Sequence, residues 1–106
     1  MAQHKVDFKF APGEVVVHKE HGYRGVIVEV DEVFKGPDEY HTDLLMGKRA
    51  PKDQPWYHVI VDGTDTITYV SERQLNKDKS GRPIQHPMLS TMFDQFENGK
   101  YGRPLH

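Results

Sequence analysis

The stretch 55-PWYHVIVDGTDTITYVS-71 contains two runs of β-branched and aromatic residues, separated by Asp62-Gly63-Thr64-Asp65. Residues of these types favour extended backbone. An Asp-Gly pair between two such runs is typical of a tight β-hairpin turn. The stretch therefore predicts a hairpin with one strand over residues 55–62 and a second strand over residues 66–71.

Two further strands are predicted upstream of this hairpin, over residues 13–19 and 26–34. Between them, Gly22 can take the positive φ of a hairpin turn, and Gly25 suits a bulge or a sharp bend. The second of these strands alternates with a period of two, so one set of side chains is expected on each face of a sheet. The two sets are Val26, Val28 and Val30 against Ile27, Glu29 and Asp31.

The segments outside these strands predict helices and irregular structure. Residues 35–54 form a long crossing in which Pro37, early acidic residues and Gly47 favour a short helix over 38–47. A helical turn is expected at 71–75. A C-terminal helix is predicted from His86-Pro87 to Asn98-Gly99, because four apolar residues recur with helical spacing. These four residues are Leu89, Met92, Phe93 and Phe96.

These elements predict a mainly β fold. Four short strands need closure or covering, because exposed sheet edges invite aggregation. A small, partly open barrel of SH3-like type satisfies that need, with a short helix in the long crossing and the C-terminal helix packed on it. The predicted organisation is an N-terminal arm over 1–12, the barrel and helix over 13–99, and a mobile tail over 100–106. In the arm, Phe8 and Phe10 are able to dock on the body of the domain.

Composition restricts the functional classes. The chain has 106 residues, enough for one domain, and 14 basic against 16 acidic residues give a net charge of -2. Such a balance disfavours strong nonspecific DNA binding, which depends on an excess of positive charge. The absence of cysteine excludes disulfides and thiol chemistry. No secretion signal or membrane span is apparent, so we expect a cytoplasmic protein.

No residue constellation indicates catalysis or a resident metal. Three of the seven histidines could in principle meet in a barrel, namely His18, His21 and His58, but their spacing matches no metal motif. The serines lack a nucleophile motif. Paired carboxylates such as Glu29 and Asp31 are read as solubilising residues on an outer strand face. We therefore expect no enzymatic activity, no cofactor and no metal.

Trp56 is the strongest candidate for a contact residue. Strand alternation places it, with His58 and Ile60, on the face opposite Tyr57, Val59 and Val61. If the latter set fills the barrel, Trp56 faces outward and needs a cover. The cover could be the long crossing, the C-terminal helix, a second subunit or another partner.

Two short basic clusters could contact phosphate groups. Lys48, Arg49 and Lys52 belong to one cluster, and the other comprises Lys77, Lys79 and Arg82. Each cluster contains one aspartate, and ordinary solvated loops are an equally good explanation. The segment Gly22-Tyr23-Arg24-Gly25 also has the spacing of a loop that grips a nucleic-acid backbone, although a strand-turn-strand joint explains it better.

Four runs of the sequence match a known family. The most specific run is Lys52-Asp53-Gln54-Pro55-Trp56-Tyr57-His58-Val59-Ile60-Val61. The other runs are His18-Lys19 with Gly22-Tyr23-Arg24-Gly25-Val26-Ile27-Val28, Thr68-Tyr69-Val70-Ser71-Glu72 with Leu75, and His86-Pro87 through Phe93. These runs resemble the HspQ family, also called the YccV-like or hemimethylated-DNA-binding domain, and the resemblance extends from about Phe10 to Tyr101.

The resemblance implies an SH3-like barrel, a bacterial cytosolic heat-shock setting and no catalysis. It implies two activities: acting on the Lon protease, as a substrate that also enhances degradation of other substrates, and binding hemimethylated DNA with an effect on replication initiation. Homo-oligomers, trimers among them, are also implied. On charge, the Lon role ranks above DNA binding, and an oligomer with Trp56 and Ile60 in its interface is compatible with both. The candidate contact residues are Tyr23, Arg24, Arg49, Lys52, Trp56 and His58.

Overall fold

The computed structural model describes residues 7–41, 44–45 and 48–103. It is mainly β, with nine strands in that part of the chain: β1 Val15–His18, β2 Arg24–Asp31, β3 Leu44–Leu45, β4 Lys48–Arg49, β5 Trp56–Val61, β6 Ile67–Ser71, β7 Leu75–Lys77, β8 Gln95–Glu97 and β9 Lys100–Gly102. The helical elements are two 3-10 helices, Asp38–Tyr40 and Glu72–Gln74, and one short α-helix, α1, Leu89–Met92. The predicted mainly β class is confirmed.

Five of the strands form one antiparallel sheet in the order β6-β5-β2-β1-β7. The predicted hairpins β1–β2 and β5–β6 are both present, and Gly22 has the expected positive φ of 76°. The helical turn before β7 is also present and returns Leu75 to the core. The sheet does not close on itself, since β6 and β7 are its two edges. The predicted SH3-like barrel is therefore not confirmed.

Both predicted helices are much shorter than expected, so their predicted extents, 38–47 and 86–99, are wrong. In the crossing, the helix lasts only from Asp38 to Tyr40, and Leu44–Leu45 pairs with Lys48–Arg49 as a small ribbon; residues 42–43 and 46–47 lie outside the described chain. At the C-terminus, α1 ends at Met92 and the chain turns back as the β8–β9 ribbon. Asn98 and Gly99 have φ of 54° and 76°, which fits a two-residue hairpin turn. An Asn-Gly pair suits this turn as well as a helix end.

Both faces of the sheet are covered, each by its own apolar cluster. One cluster joins Phe10 to residues of all five strands of the sheet: Val16, Ile27, Tyr57, Val59, Val70 and Leu75. The second joins Ile84 and Tyr101 to Val15, Val26 and Ile60 on the opposite face. Phe10 and Tyr101 lie outside the predicted body, residues 13–99, so arm and C-terminal segment both contribute to the packed fold. The predicted tail contains strand β9, and its residues 104–106 lie outside the described chain.

A β-bulge in β2 changes which side chains share a face. Ile27 pairs with Val59 and Glu29 pairs with His58, so the chain gains one residue between these pairs. The extra residue reverses the alternation: Val30 joins Ile27 in the first cluster, whereas Glu29 and Asp31 lie on the face of His58. The uniform alternation predicted over residues 26–31 is therefore wrong after Ile27.

Gly25 permits a close approach between β2 and β5. A Cβ atom at this position would lie 2.5 Å from Val59 Cγ1 and 2.6 Å from the carbonyl oxygen of Ile60. Neither distance is sterically possible without moving the sheet. The bulge suggested at Gly25 lies instead between Ile27 and Glu29, and the glycine is required at the start of β2 for packing against β5.

Candidate functional site

Trp56 is covered by its own chain. Its side chain is fully buried, and its ring packs at 4.9 Å from Phe34, 5.7 Å from His41 and 5.2 Å from Tyr69 between centroids. The long crossing, one of the four covers considered above, therefore covers it. Ile60 is also fully buried, beneath Ile84 and Tyr101. In this structure neither side chain is available to a partner or to a second subunit.

Arg24 is an internal clamp. Its guanidinium lies 3.1 Å from Asp78 Oδ2 and 3.3 Å from Asp62 Oδ2, and it donates to the backbone carbonyl oxygens of Arg82 and Pro83. The Arg24 side chain is only 15 % exposed. Its charge and donors are used to hold the 78–83 loop against the sheet, so the predicted role of phosphate anchor does not fit this conformation.

The remaining predicted contact residues do not converge on one surface. Lys52 forms an ion pair with Asp38 and lies 5.4 Å above the Phe34 ring, while Arg49 is exposed on β4. The Tyr23 hydroxyl lies 2.9 Å from Thr68 Oγ1, and its ring stacks near His18 on the face of the first apolar cluster. His18 stacks on His21 at 4.6 Å. His58 lies elsewhere, on the opposite face.

His58 lies in a cleft between the two covers of the second face. The crossing covers the Trp56 end of β5, and the C-terminal segment covers the Ile60 end. The gap is a cavity of about 490 Å³ lined by β2, β5, β6 and the segment after β2. Its lining residues include Glu29, Asp31, Lys35, His58, Ile67 and Tyr69. We call this cavity the histidine cleft.

Hydrogen bonds organise the polar end of the histidine cleft. His58 Nε2 lies 3.1 Å from Asp31 Oδ2 and 3.3 Å from Glu29 Oε2. The Tyr69 hydroxyl donates to Asp31 Oδ2 at 2.7 Å and accepts from the Lys35 backbone N–H at 2.9 Å. Three strands thus contribute to one cluster: two carboxylates from β2, an imidazole from β5 and a phenol from β6.

The electrostatics of this cluster favour an ionised Asp31. Burial alone raises the pKa of Asp31, but hydrogen bonds from Tyr69 and His58, together with the charges of His58 and Lys35, outweigh burial and hold the pKa below its usual range. Burial, followed by the hydrogen bond to Asp31, raises the pKa of Tyr69 to about 12. Tyr69 is therefore a neutral donor to a carboxylate at neutral pH.

A second cavity, of about 240 Å³, is bordered by lysines near the other sheet edge. Lys77 and Lys79 come from β7 and its following loop, and Lys100 comes from β9. Glu14 lies 3.7 Å from Lys77, while Lys79 and Lys100 have no ion-pair partner among the described residues. Asp78 is neutralised by Arg24. We call this cavity the basic groove; its other lining residues include Gly81, Asn98 and Gly99.

The sequence indicated only part of these two sites. Lys77 and Lys79 were recognised as a basic cluster, but Lys100 was assigned to a mobile tail. Glu29 and Asp31 were interpreted as solubilising residues, and Tyr69 was not singled out. The missing signal was the register: Glu29 opposes His58, which opposes Tyr69 on β6. Once the bulge and both hairpins are known, these three residues are cross-strand neighbours on one face.

The described part of the chain forms a small, mainly β domain with a histidine cleft that holds two carboxylates and a basic groove bordered by three lysines. No helix in the described part of the chain is long and apolar enough to cross a membrane. Residues 8–100 match the family model described as hemimethylated DNA-binding protein YccV like. The chain belongs to this YccV-like, or HspQ, family, as its sequence motifs indicated.

Proposed function

We propose that the protein binds duplex DNA that is methylated on one strand, and that it acts by binding without catalysis. The description of the family supports this class of ligand. The observation that carries the proposal is the basic groove, where three lysines from β7, its loop and β9 border one cavity. Phosphate neutralisation by such residues supplies most of the affinity in protein–DNA complexes.

The groove compensates locally for the net charge of -2. Lys79 and Lys100 form no ion pair with a described carboxylate, and Asp78 is held by Arg24. If the three lysines each contact one phosphate, log K should fall with log salt concentration with a slope of roughly -3. A slope of about -2.7, or 0.9 per phosphate, corresponds to a loss of about 40-fold in affinity between 50 and 200 mM salt.

Phosphate contacts position a protein on DNA but carry no sequence information. We assign base reading to the β8–β9 ribbon, because the major groove admits a two-stranded ribbon. Its pairing places Gln95 and Glu97 on the face of Lys100, which borders the basic groove. Gln95 is exposed, and a glutamine amide matches the hydrogen-bonding edge of adenine. A methyl group on the adenine amino nitrogen would alter that same edge.

The test is a fluorescence-anisotropy titration of the full chain with three duplexes of one sequence: unmethylated, hemimethylated and fully methylated at adenine. We expect tightest binding to the hemimethylated duplex and a salt slope near -3. The variant Lys79→Gln/Lys100→Gln should reduce the slope by about two, whereas Lys9→Gln/Lys19→Gln, which removes two exposed lysines elsewhere, should leave it unchanged. Equal affinity for all three duplexes, or a slope near zero, contradicts the proposal.

A role in Lon proteolysis is the second candidate, in which the protein is a substrate of Lon that enhances degradation of other substrates. The observation that favours it is β6, an edge strand whose Ile67 is 49 % exposed beside the histidine cleft. Such an edge can accept an extended peptide as an additional strand. This role implies a cytoplasmic, stress-related protein, and homo-oligomers, including trimers, are compatible with either candidate.

Purified Lon and ATP test this second role. We expect degradation of the chain and faster turnover of a second substrate. Ile67→Lys should abolish the enhancement, while Val33→Lys, at an equally exposed apolar position, should not. If Lon does not degrade the chain and does not degrade the second substrate faster in its presence, the Lon role is wrong. Light scattering on the same samples measures the number of subunits in the oligomer.

A further inference from the structure

The polar end of the histidine cleft brings together one imidazole and two carboxylates. Their ligand atoms, one from each of Glu29, Asp31 and His58, all lie within 4.8 Å of one another. Two neighbouring strands supply them: Glu29 opposes His58 directly, and Asp31 follows two residues later on the same face by strand alternation. The β2 bulge places both carboxylates on the face of His58. The backbone of the central sheet therefore fixes the cluster, which distinguishes it from a chance meeting of flexible surface side chains.

The distances in this cluster match those of a metal centre. A tetrahedral ion with bonds of 2.0–2.1 Å to nitrogen and oxygen holds its ligand atoms about 3.3 Å apart. His58 Nε2 lies 3.3 Å from Glu29 Oε2 and 3.1 Å from Asp31 Oδ2. These two separations are within a few tenths of an ångström of that value, and the third, between the Glu29 and Asp31 oxygens, is no more than 4.8 Å.

A bound cation satisfies the three ligand groups better than a single shared proton does. His58 Nε2 carries at most one proton, and that proton can point fully at only one of the two carboxylates. A divalent cation in its place contacts all three groups and balances both negative charges. Lys35 borders the cavity, so the cluster keeps an excess negative charge with a neutral imidazole: two carboxylates against one ammonium.

The surroundings of the cluster resemble those of ligated metals in proteins. Tyr69 donates a hydrogen bond to Asp31 Oδ2 at 2.7 Å, an outer contact that orients a ligating carboxylate. The cavity of about 490 Å³ leaves room for water in the remaining coordination position. The Asp31 side chain is 13 % exposed and that of His58 31 %, so two of the three ligands are substantially shielded from bulk solvent.

We propose that Glu29, Asp31 and His58 form a binding site for a divalent cation of the Zn²⁺ type, with Tyr69 as a positioning residue. A mixed set of one imidazole and two carboxylates suits Zn²⁺, whereas Mg²⁺ and Ca²⁺ prefer oxygen ligands alone. The site is independent of the proposed DNA binding, because its residues lie on β2, β5 and β6 and the basic groove lies beside β1 and β7.

Isothermal titration calorimetry of the tag-free full chain with ZnCl₂ tests the site. We expect one strong site, which Asp31→Asn and His58→Gln each weaken about tenfold or more. The matched controls Glu32→Gln and His21→Gln remove an exposed charge beside Asp31 and an exposed imidazole elsewhere, and they should bind Zn²⁺ as the original chain does. Tyr69→Phe should weaken binding by about 10-fold or more while leaving the stoichiometry unchanged.

Two further measurements separate the site from an effect on folding. Glu29→Gln alters a side chain that is 66 % exposed, so this variant keeps the fold and should still lose affinity for Zn²⁺. In nitrogen-detected NMR spectra, Zn²⁺ should shift the Nε2 resonance of His58 before that of any other histidine. The proposal is overturned if the Nε2 resonance of His58 does not shift, or if the cluster variants bind Zn²⁺ as tightly as their matched controls. Either result would mean that His58 only forms ion pairs with the two carboxylates.

Discussion

Replacement of Arg24 by glutamine separates a structural role from a DNA-contact role. In the structure the Arg24 guanidinium spans Asp62, Asp78 and the carbonyl oxygens of the 82–83 backbone. Glutamine keeps a polar side chain at this position but removes the charge and three of the five donor hydrogens. The variant leaves Asp78 nine-tenths buried, with Ser80 Oγ at 2.7 Å as its remaining side-chain partner.

The expected loss of stability follows from this burial. Removal of one partner from a buried ion pair costs about 3–5 kcal/mol. Because Ser80 still donates to Asp78, and because Asp62 is 31 % exposed and can regain water, we expect the lower end, about 3 kcal/mol. With m-values of about 1–3 kcal/mol/M in urea, the midpoint of unfolding should fall by roughly 1–3 M.

Urea unfolding followed by circular dichroism measures this loss. Asp78→Asn and the double variant complete a cycle, in which the two single losses should exceed the double loss by about 1 kcal/mol or more. Arg82→Gln, which removes an exposed guanidinium from the same loop, should change the free energy of unfolding by less than about 0.5 kcal/mol. An unchanged urea midpoint in Arg24→Gln, with a DNA salt slope reduced by one, would refute the clamp and support phosphate contact.

The pH dependence gives an independent check on the same pair. Burial raises the pKa of Asp78, but hydrogen bonds from Arg24 and Ser80, with the charge of Arg24, reverse the effect and lower the pKa. A lowered carboxyl pKa stabilises the fold above the unfolded value of 3.8, and this contribution disappears as the pH falls through the folded pKa. Asp78→Asn should therefore lose less stability than the original chain on acidification below pH 3.8.

Three other perturbations test the packing. Gly25→Ala should destabilise the fold by about 3 kcal/mol in urea unfolding, because the new Cβ would collide with β5. Gly22→Asn should cost less than about 1 kcal/mol, because no atom lies near a Cβ at position 22 and asparagine tolerates a positive φ. Trp56→Ala should cost about 3–5 kcal/mol in the same assay; a small loss would contradict its burial. In an ultraviolet pH titration, Tyr69 should ionise near pH 12. Its contribution to the free energy of unfolding should persist below pH 10 and decrease above it, and Tyr69→Phe should remove this decrease.

Local sequence signals were sufficient where one segment determines its own geometry. The Asp62-Gly63 hairpin, the Gly22 turn and the helical turn before Leu75 all follow from residues close in sequence. The C-terminal segment failed because its signals are ambiguous. Leu89, Met92, Phe93 and Phe96 fit a helix, but Phe93 is extended and Phe96 packs on Tyr101 at 4.5 Å across a hairpin. The partner strand that decides between the two lies beyond the predicted helix.

The site was harder to predict than the fold, because contacts distant in sequence determine it. Arg24 looked like a free cation beside an aromatic residue, but its carboxylate partners lie 38 and 54 residues away. Alternation placed Asp31 with Ile27, and a single extra residue in β2 moved it beside His58. No feature of residues 26–31 alone marks the position of that bulge. Exposure of Trp56 likewise depended on whether the crossing folds back over it.

The proposed DNA binding requires that an acidic chain keep its carboxylates away from the surface that contacts phosphates. The histidine cleft lies on β2, β5 and β6, and the basic groove lies beside β1 and β7, at the other edge of the sheet. Glu29 and Asp31 lie on β2, which is two inter-strand steps from the edge strand β7, or roughly 10 Å at about 4.8 Å per step. This distance is comparable with the screening length of about 8–10 Å at physiological salt, so salt weakens the repulsion between these carboxylates and DNA at the groove. Glu29→Gln should consequently leave the DNA salt slope unchanged, and a slope made steeper by that substitution would mean that the cleft lies within the DNA contact surface.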